Sequence, residues 1–155
     1  MAEPKFTPKP GQVDYTNIRY APTINCVVTD GRRVLLLKRS DEMRLYPGYW
    51  NGASGFLDDT QDIEDKVLEE LREELGLGPL DIVSIKRGNV VLQEAPEYNK
   101  TWLVVAVLVT VKTQEHITDW ETEKAEWMSP EDVYKHQLLP GFAEVFEQFF
   151  PDVSA

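Results

Sequence analysis

Residues 55–77 read GFLDDTQDIEDKVLEELREELGL: a glycine, an acidic turn, a run with helical periodicity and a second glycine. Ile63, Val67, Leu71 and Leu75 recur at every fourth position until Gly76 and Pro79 end the pattern, and Thr60 stands where an N-cap belongs. The stretch therefore predicts one amphipathic helix. Glu70, Glu73 and Glu74 crowd its last turns, and residues three and four apart share a helical face. Glu73 falls about 60° to one side of Glu70 and Glu74 about 40° to the other, so the carboxylates border the apolar stripe. A purely solvated charged face would lie opposite that stripe, and acidic groups at a helix C-terminus oppose the macrodipole by about 0.3–1 kcal/mol each. A divalent cation would offset both costs, and oxygen clusters suit Mg²⁺, Mn²⁺ or Ca²⁺. The alternative is that Lys66 pairs with Glu70 and the other charges serve solubility; the residues alone leave both readings open.

Outward from this helix the chain is rich in strands. Residues 21–29 (APTINCVVT) and 33–38 (RVLLLK) flank Asp30-Gly31, a strong hairpin signal. Residues 80–94 and 100–112 read as two more strands, the second apolar enough to lie centrally in a sheet covered on both faces. A short strand is expected around Trp127, then a helical turn capped by Ser129 with Pro130 at its first position, and a last helix from about Gly141 to Phe149. Strands flanking a marked helix, with a second helix at the end, predict an α/β sandwich of mixed β-sheet and packed helices. Residues 39–54 (RSDEMRLYPGYWNGAS) read as a binding loop presenting Tyr46, Tyr49 and Trp50. Residues 1–17, with three prolines, read as an irregular arm before a single domain from residue 18 onward.

The chain has 155 residues, 42% of them hydrophobic, which suits one domain with a proper core. Sixteen basic and 27 acidic side chains give a formal charge of −11, which repels a phosphate backbone and speaks against a nucleic acid partner. The single cysteine, Cys26, lies in an apolar strand and excludes an intrachain disulfide. No apolar run reaches the ~20 residues of a membrane span, and the first residues have no signal-peptide core. A cytoplasmic protein with no membrane partner is expected.

The stretch also resembles the signature of the Nudix hydrolases: glycine, five residues, glutamate, seven residues, then Arg-Glu-apolar-any-Glu-Glu-any-Gly-apolar. Gly55, Glu70, Leu71, Glu73, Glu74, Gly76 and Leu77 fall in register. The hairpin of residues 21–39, PGYWNGASG, residues 101–112 and ETEKAEWMSPEDV look like their counterparts too, so the likeness runs from about residue 20 to 150. Two positions depart from it: Gln61 replaces the first glutamate, and Glu69 replaces the arginine. In that family the arginine helps orient the metal-binding carboxylates. Lys66 stands three residues before Glu69 and four before Glu70, placed to replace part of that brace.

The resemblance implies a mixed sheet between helices and hydrolysis of a nucleoside diphosphate linked to another moiety, with Mg²⁺ or Mn²⁺ as cofactor. It implies Glu70, Glu73, Glu74 and Glu121 as metal ligands, and Glu73, Glu121 or Glu123 as catalytic carboxylates. Arg39 is implied as a phosphate contact, while Tyr46, Tyr49 and Trp50 are candidates for stacking on a base. A small-molecule diphosphate is the expected partner, and a homodimer is left open because many relatives form one. Two alternatives stand beside hydrolysis. One is a Nudix-fold nucleotide-binding or regulatory protein without turnover. The other, ranked lower, is an isopentenyl-diphosphate-isomerase-like enzyme, whose cysteine and histidine positions carry Ser54 and Phe56 here.

Overall fold

The computed structural model describes residues 7–153. Seven strands form one mixed sheet: β1 (Tyr20–Thr29), β2 (Val34–Arg39), β3 (Trp50–Asn51), β4 (Ala53–Phe56), β5 (Ile82–Ala95), β6 (Lys100–Val111) and β7 (Thr122–Met128). The spatial order is β3-β2-β1-β6-β5, with β4 also paired to β1 and β7 to β2. Among the described strands only β1 and β6 pair in parallel. The expected hairpin is present: Gly31 takes φ +99°, and the Asp30 carboxylate accepts the N–H groups of Arg32 and Arg33.

Alternation along β1 divides the core between the two faces. Ile24, Cys26 and Val28 pack with Val67, Leu71 and Leu75 of α1 (Ile63–Leu75). Ala21 and Val27 face the other way, onto Phe142, Val145 and Phe146 of α2 (Phe142–Glu147). The sandwich expected from the sequence is therefore the observed architecture. β1 is the central strand, and the apolar β6 is interior beside it, held by β1 on one side and the edge strand β5 on the other.

Two local expectations are corrected. The N-cap of α1 is Asp62, not Thr60. Asp59 accepts the Gln61 N–H and an ion pair from Lys66, so the chain stays bent for two residues longer. The stretch after Arg39 is not loop throughout, since it contains β3 and β4. These strands are too short to show alternation in sequence, and long-range pairing makes them: Ala53 to Phe56 lie against Cys26 to Thr23. The helical turn expected after Ser129 is present as a 3₁₀ turn, Pro130–Lys135, with Ser129 at its N-cap and Pro130 at its start.

Pairing to β4 occupies the first half of one edge of β1, and pairing to β2 the second half. The sheet splits where Gly52 crosses between them, and a Cβ there would stand 2.1 Å from the Cys26 carbonyl oxygen. Residues 7–17 lie irregularly beside this region. Tyr15 stacks on Phe56, and the buried ammonium of Lys100 donates to the carbonyls of Tyr15, Thr16 and Ile18. Burial holds the Lys100 pKa below its ordinary value. Lys100→Met is expected to orphan those carbonyls and lower stability by about 1–3 kcal/mol. Limited proteolysis would show cleavage near residue 15 well before global unfolding; an unchanged digest would refute the tether.

Candidate functional site

A cavity of about 460 Å³ opens beside the split in the sheet. Five stretches bring charged groups to it: α1 supplies Glu70 and Glu73, β2 ends in Arg39, the chain before β7 supplies Glu121, the loop after β2 supplies Arg44, and the turn after β4 supplies Asp58. Glu74 lies in an adjoining recess that also touches Arg39, Glu121 and Asn51. Helical spacing thus works as expected, since one face of α1 reaches the cavity while its apolar stripe seats the helix on the sheet.

Glu70 explains the glycine of β4. A Cβ on Gly55 would stand 2.3 Å from the carboxyl carbon of Glu70, so only glycine lets the helix carboxylate lie over the strand. Burial, then the charge of Glu73, pushes the Glu70 pKa up to about 8. Glu74 is buried and accepts the Ser54 N–H at 3.1 Å. Its pKa is raised well above the ordinary carboxylate range by burial and by the charges of Glu70 and Glu121, with Arg39 pulling the other way. Glu73 is exposed at the rim and Glu121 is half-buried.

Hard oxygen donors, partly withdrawn from water and repelling one another, have the chemistry of a divalent-cation site. The carboxylates fit such an ion in kind and in charge. They share a rim and are not gathered into a finished cage: among the described residues no three Asp, Glu, His or Cys side chains stand ready-made around a single ion position.

Not every side chain expected at the site arrives there. Tyr46 lines the cavity, buried, with φ +50° and its N–H donating to the Tyr98 hydroxyl. Tyr49 lies outside the lining, edge-on to Tyr46. Trp50 is outside it as well, against the His136 ring and held through its backbone by Gln137 and Leu139. Both aromatics are used in packing against the core. Glu123 also falls outside the lining, where it pairs with Lys38 at 3.3 Å.

Other lining residues were not singled out by sequence. Trp102 is buried and forms part of the wall, with Asn25, Asn51, Ser54 and Gln93 around it. Asn25 donates to Asn51, which donates to the Ser54 hydroxyl. The one available signal was Asn25 itself, an amide in an otherwise apolar stretch of strand. Three buried side-chain polar atoms lack a hydrogen-bond partner among the described residues: Asn25 Oδ1, the Tyr46 hydroxyl and Trp102 Nε1. The Trp102 indole N–H lies close enough to the Tyr46 hydroxyl to act on it as a hydrogen-bond donor would, yet the pair does not reach well-formed hydrogen-bond geometry. All three residues line the same cavity.

The two departures meet beside α1. Gln61 Nε2 donates to Glu69 Oε2 at 2.8 Å and to Asp59 Oδ2 at 2.8 Å. Lys66 Nζ, buried beneath them, reaches Asp59 at 2.8 Å, Glu69 at 3.0 Å and Asp58 at 3.2 Å.

The model of the NUDIX domain matches residues 19–151 of this chain. The chain is 20% identical over 123 residues to an uncharacterized Nudix hydrolase, YvcI, of Bacillus subtilis strain 168, covering 79% of this chain and 75% of that one. Its fold is similar to the crystal structure of a MutT Nudix hydrolase from Burkholderia pseudomallei, with TM-score 0.73, 20% identity, and coverage of 84% of this chain and 98% of that one. It is similar too to the Nudix domain of Shewanella oneidensis NrtR, solved in complex with ADP ribose, with TM-score 0.70, 21% identity, and coverage of 87% and 89%. With the domain matched over most of its length, and the glycine-bounded carboxylate helix laid along a mixed sheet, this chain belongs to the Nudix family.

Proposed function

We propose that this protein is a metal-dependent pyrophosphohydrolase that cleaves the diphosphate link of a nucleoside diphosphate derivative. The observation that carries the reading is the pairing, in one cavity, of an acidic rim with a polar interior whose hydrogen-bonding atoms lack partners. Glu70, Glu73, Glu74 and Glu121 would hold Mg²⁺ or Mn²⁺. When bound, the cation supplies charge neutralisation on the diphosphate oxygens. Arg39 contacts a phosphate, and Glu121 takes the proton of the attacking water as the bridging P–O bond breaks. Deeper in the cavity, Trp102 Nε1 offers a donor, Asn25 Oδ1 an acceptor and Tyr46 a hydroxyl beside an indole wall. Orphaned buried polar atoms cost about 1–3 kcal/mol each, and a planar base carrying donors and acceptors would relieve them. A prenyl chain would not.

The second reading, nucleotide binding without turnover, is favoured by Gln61 and Glu69. Both readings are tested by assaying phosphate release from ADP-ribose, nucleoside di- and triphosphates, nucleotide sugars and dinucleotides with Mg²⁺ or Mn²⁺. Nucleotide turnover supports hydrolysis, with Trp102→Phe raising KM by about tenfold for one lost buried hydrogen bond. Nucleotide binding without turnover favours the second reading. Isopentenyl diphosphate conversion in preference to every nucleotide would overturn both.

A further inference from the structure

We infer that Lys66 is the positioning residue of the carboxylate helix, and that Gln61 and Glu69 are two parts of the same device. The inference rests on the metal-binding reading of α1 but not on turnover. Lys66 is 3% exposed, and its ammonium lies among three carboxylates from two structural sources. Asp58 and Asp59 belong to the turn that follows β4, and Glu69 belongs to α1, immediately before Glu70. Gln61 spans the same two sources through its amide, to Asp59 and to Glu69. The irregular segment before β1 is tied in as well: Gln12 Nε2 donates to Asp58 Oδ2 at 2.9 Å, and the Val13 N–H to the Asp58 carbonyl.

Burial alone would pull the Lys66 pKa down, yet hydrogen bonds to Asp59, Glu69 and Asp58 outweigh it and the pKa is raised. The same bonds hold Asp59 down to about 2. A buried ammonium with three oxygen partners is strongly oriented, and removing it would leave acidic groups facing one another. The pair at 61 and 69 has exchanged roles. An amide donor stands at 61 and a carboxylate acceptor at 69, while the cation comes from position 66, one turn earlier. Net charge over the three positions is zero, as in a glutamate–arginine pair. The helix is therefore fastened to the turn by a rewired brace, and this sets where Glu70 and Glu73 meet the cavity.

Mn²⁺ titration followed by electron paramagnetic resonance, with melting temperature measured alongside, tests this on the full chain. Lys66→Met is expected to weaken Mn²⁺ binding by about 10- to 100-fold, the usual range for supports of metal ligands, and Lys66→Arg to restore most of it. Should Lys66→Met fail to fold, Gln61→Leu removes only the exposed bridging donor and is expected to weaken Mn²⁺ by a smaller factor at near wild-type melting temperature. Glu64→Gln, whose carboxylate pairs with Arg87 at the surface, should bind as wild type. A folded Lys66→Met or Gln61→Leu with wild-type Mn²⁺ affinity would overturn the inference while leaving hydrolysis intact. Wild-type Mn²⁺ binding that depends on Lys66, in a protein that turns over no nucleotide, would sustain the inference and remove the hydrolase reading.

Discussion

Glu70→Gln is expected to abolish metal-dependent turnover, by at least about 100-fold, and at the same time to stabilise the metal-free protein. The first effect follows from losing one of the four oxygen ligands proposed above, since loss of mere supporting contacts already costs about 10- to 100-fold. The second follows from burial. Glu70 is withdrawn from water beside Glu73, so ionising it costs the fold, and its pKa rises to about 8. A carboxyl raised from the ordinary value of 4.5 binds its proton more tightly folded than unfolded. Its contribution is fully present below pH 4.5 and is lost as pH rises through about 8. Glutamine cannot ionise, so the melting temperature of Glu70→Gln should exceed that of metal-free wild type by an amount that grows from pH 5 to pH 8, reaching about 3 °C for each kcal/mol relieved. Saturating Mg²⁺ should close the gap by stabilising wild type alone. Glu73→Gln, at an exposed position, should lose turnover and stabilise the metal-free protein by less than Glu70→Gln does, since it removes only the charge that adds to the burial of Glu70. Equal melting behaviour of Glu70→Gln and wild type at pH 8 without metal would contradict the strained-carboxylate account, and retained turnover would remove Glu70 from the site.

Gly55→Ala is the smallest change expected to disable the site. The added methyl would stand 2.3 Å from the Glu70 carboxyl carbon and 2.4 Å from Oε1. The obstacle is the end of a flexible side chain, so Glu70 swings aside at little cost and the strand persists. Alanine is also the better residue in a strand interior, by about 0.5–1 kcal/mol. Mn²⁺ affinity should therefore fall by at least about tenfold while the melting temperature stays within a few degrees of wild type. Gly52→Ala should behave oppositely, because its methyl would meet the Cys26 carbonyl at 2.1 Å, and backbone cannot swing aside. That variant is expected to lose the fold. Wild-type Mn²⁺ affinity in Gly55→Ala would show that the carboxylate does not need the space the glycine leaves.

These contrasts mark what can be read from a chain. The apolar spacing of Ile63 to Leu75, the Gly76 stop and the clustering of Glu70, Glu73 and Glu74 are properties of one continuous segment. Gly76 does take φ +68°, and its N–H caps the Arg72 carbonyl. Asp30-Gly31 was legible for the same reason. By contrast β3 and β4 exist only because β2 and β1 lie alongside them, and a few residues carry too little alternation to announce a strand. Tyr49, Trp50 and Glu123 have the side chains a binding site wants, yet their contacts in the fold lie elsewhere. Trp102 and Asn25 stand in strands with nothing in sequence to place them at a site, and they border the cavity because β6 lies parallel to β1.

The sequence by itself determined the helix, the carboxylate spacing along it, the mixed sandwich and the family, since each rests on periodicity or motif register within short stretches of covalent chain. Tertiary structure decided which carboxylates are buried, why position 55 must be glycine, which polar atoms are left for a ligand, and that Gln61, Lys66 and Glu69 form one brace. Those are facts about desolvation and through-space partners, and they do not exist until β4, the turn at Asp58 and α1 have been brought together.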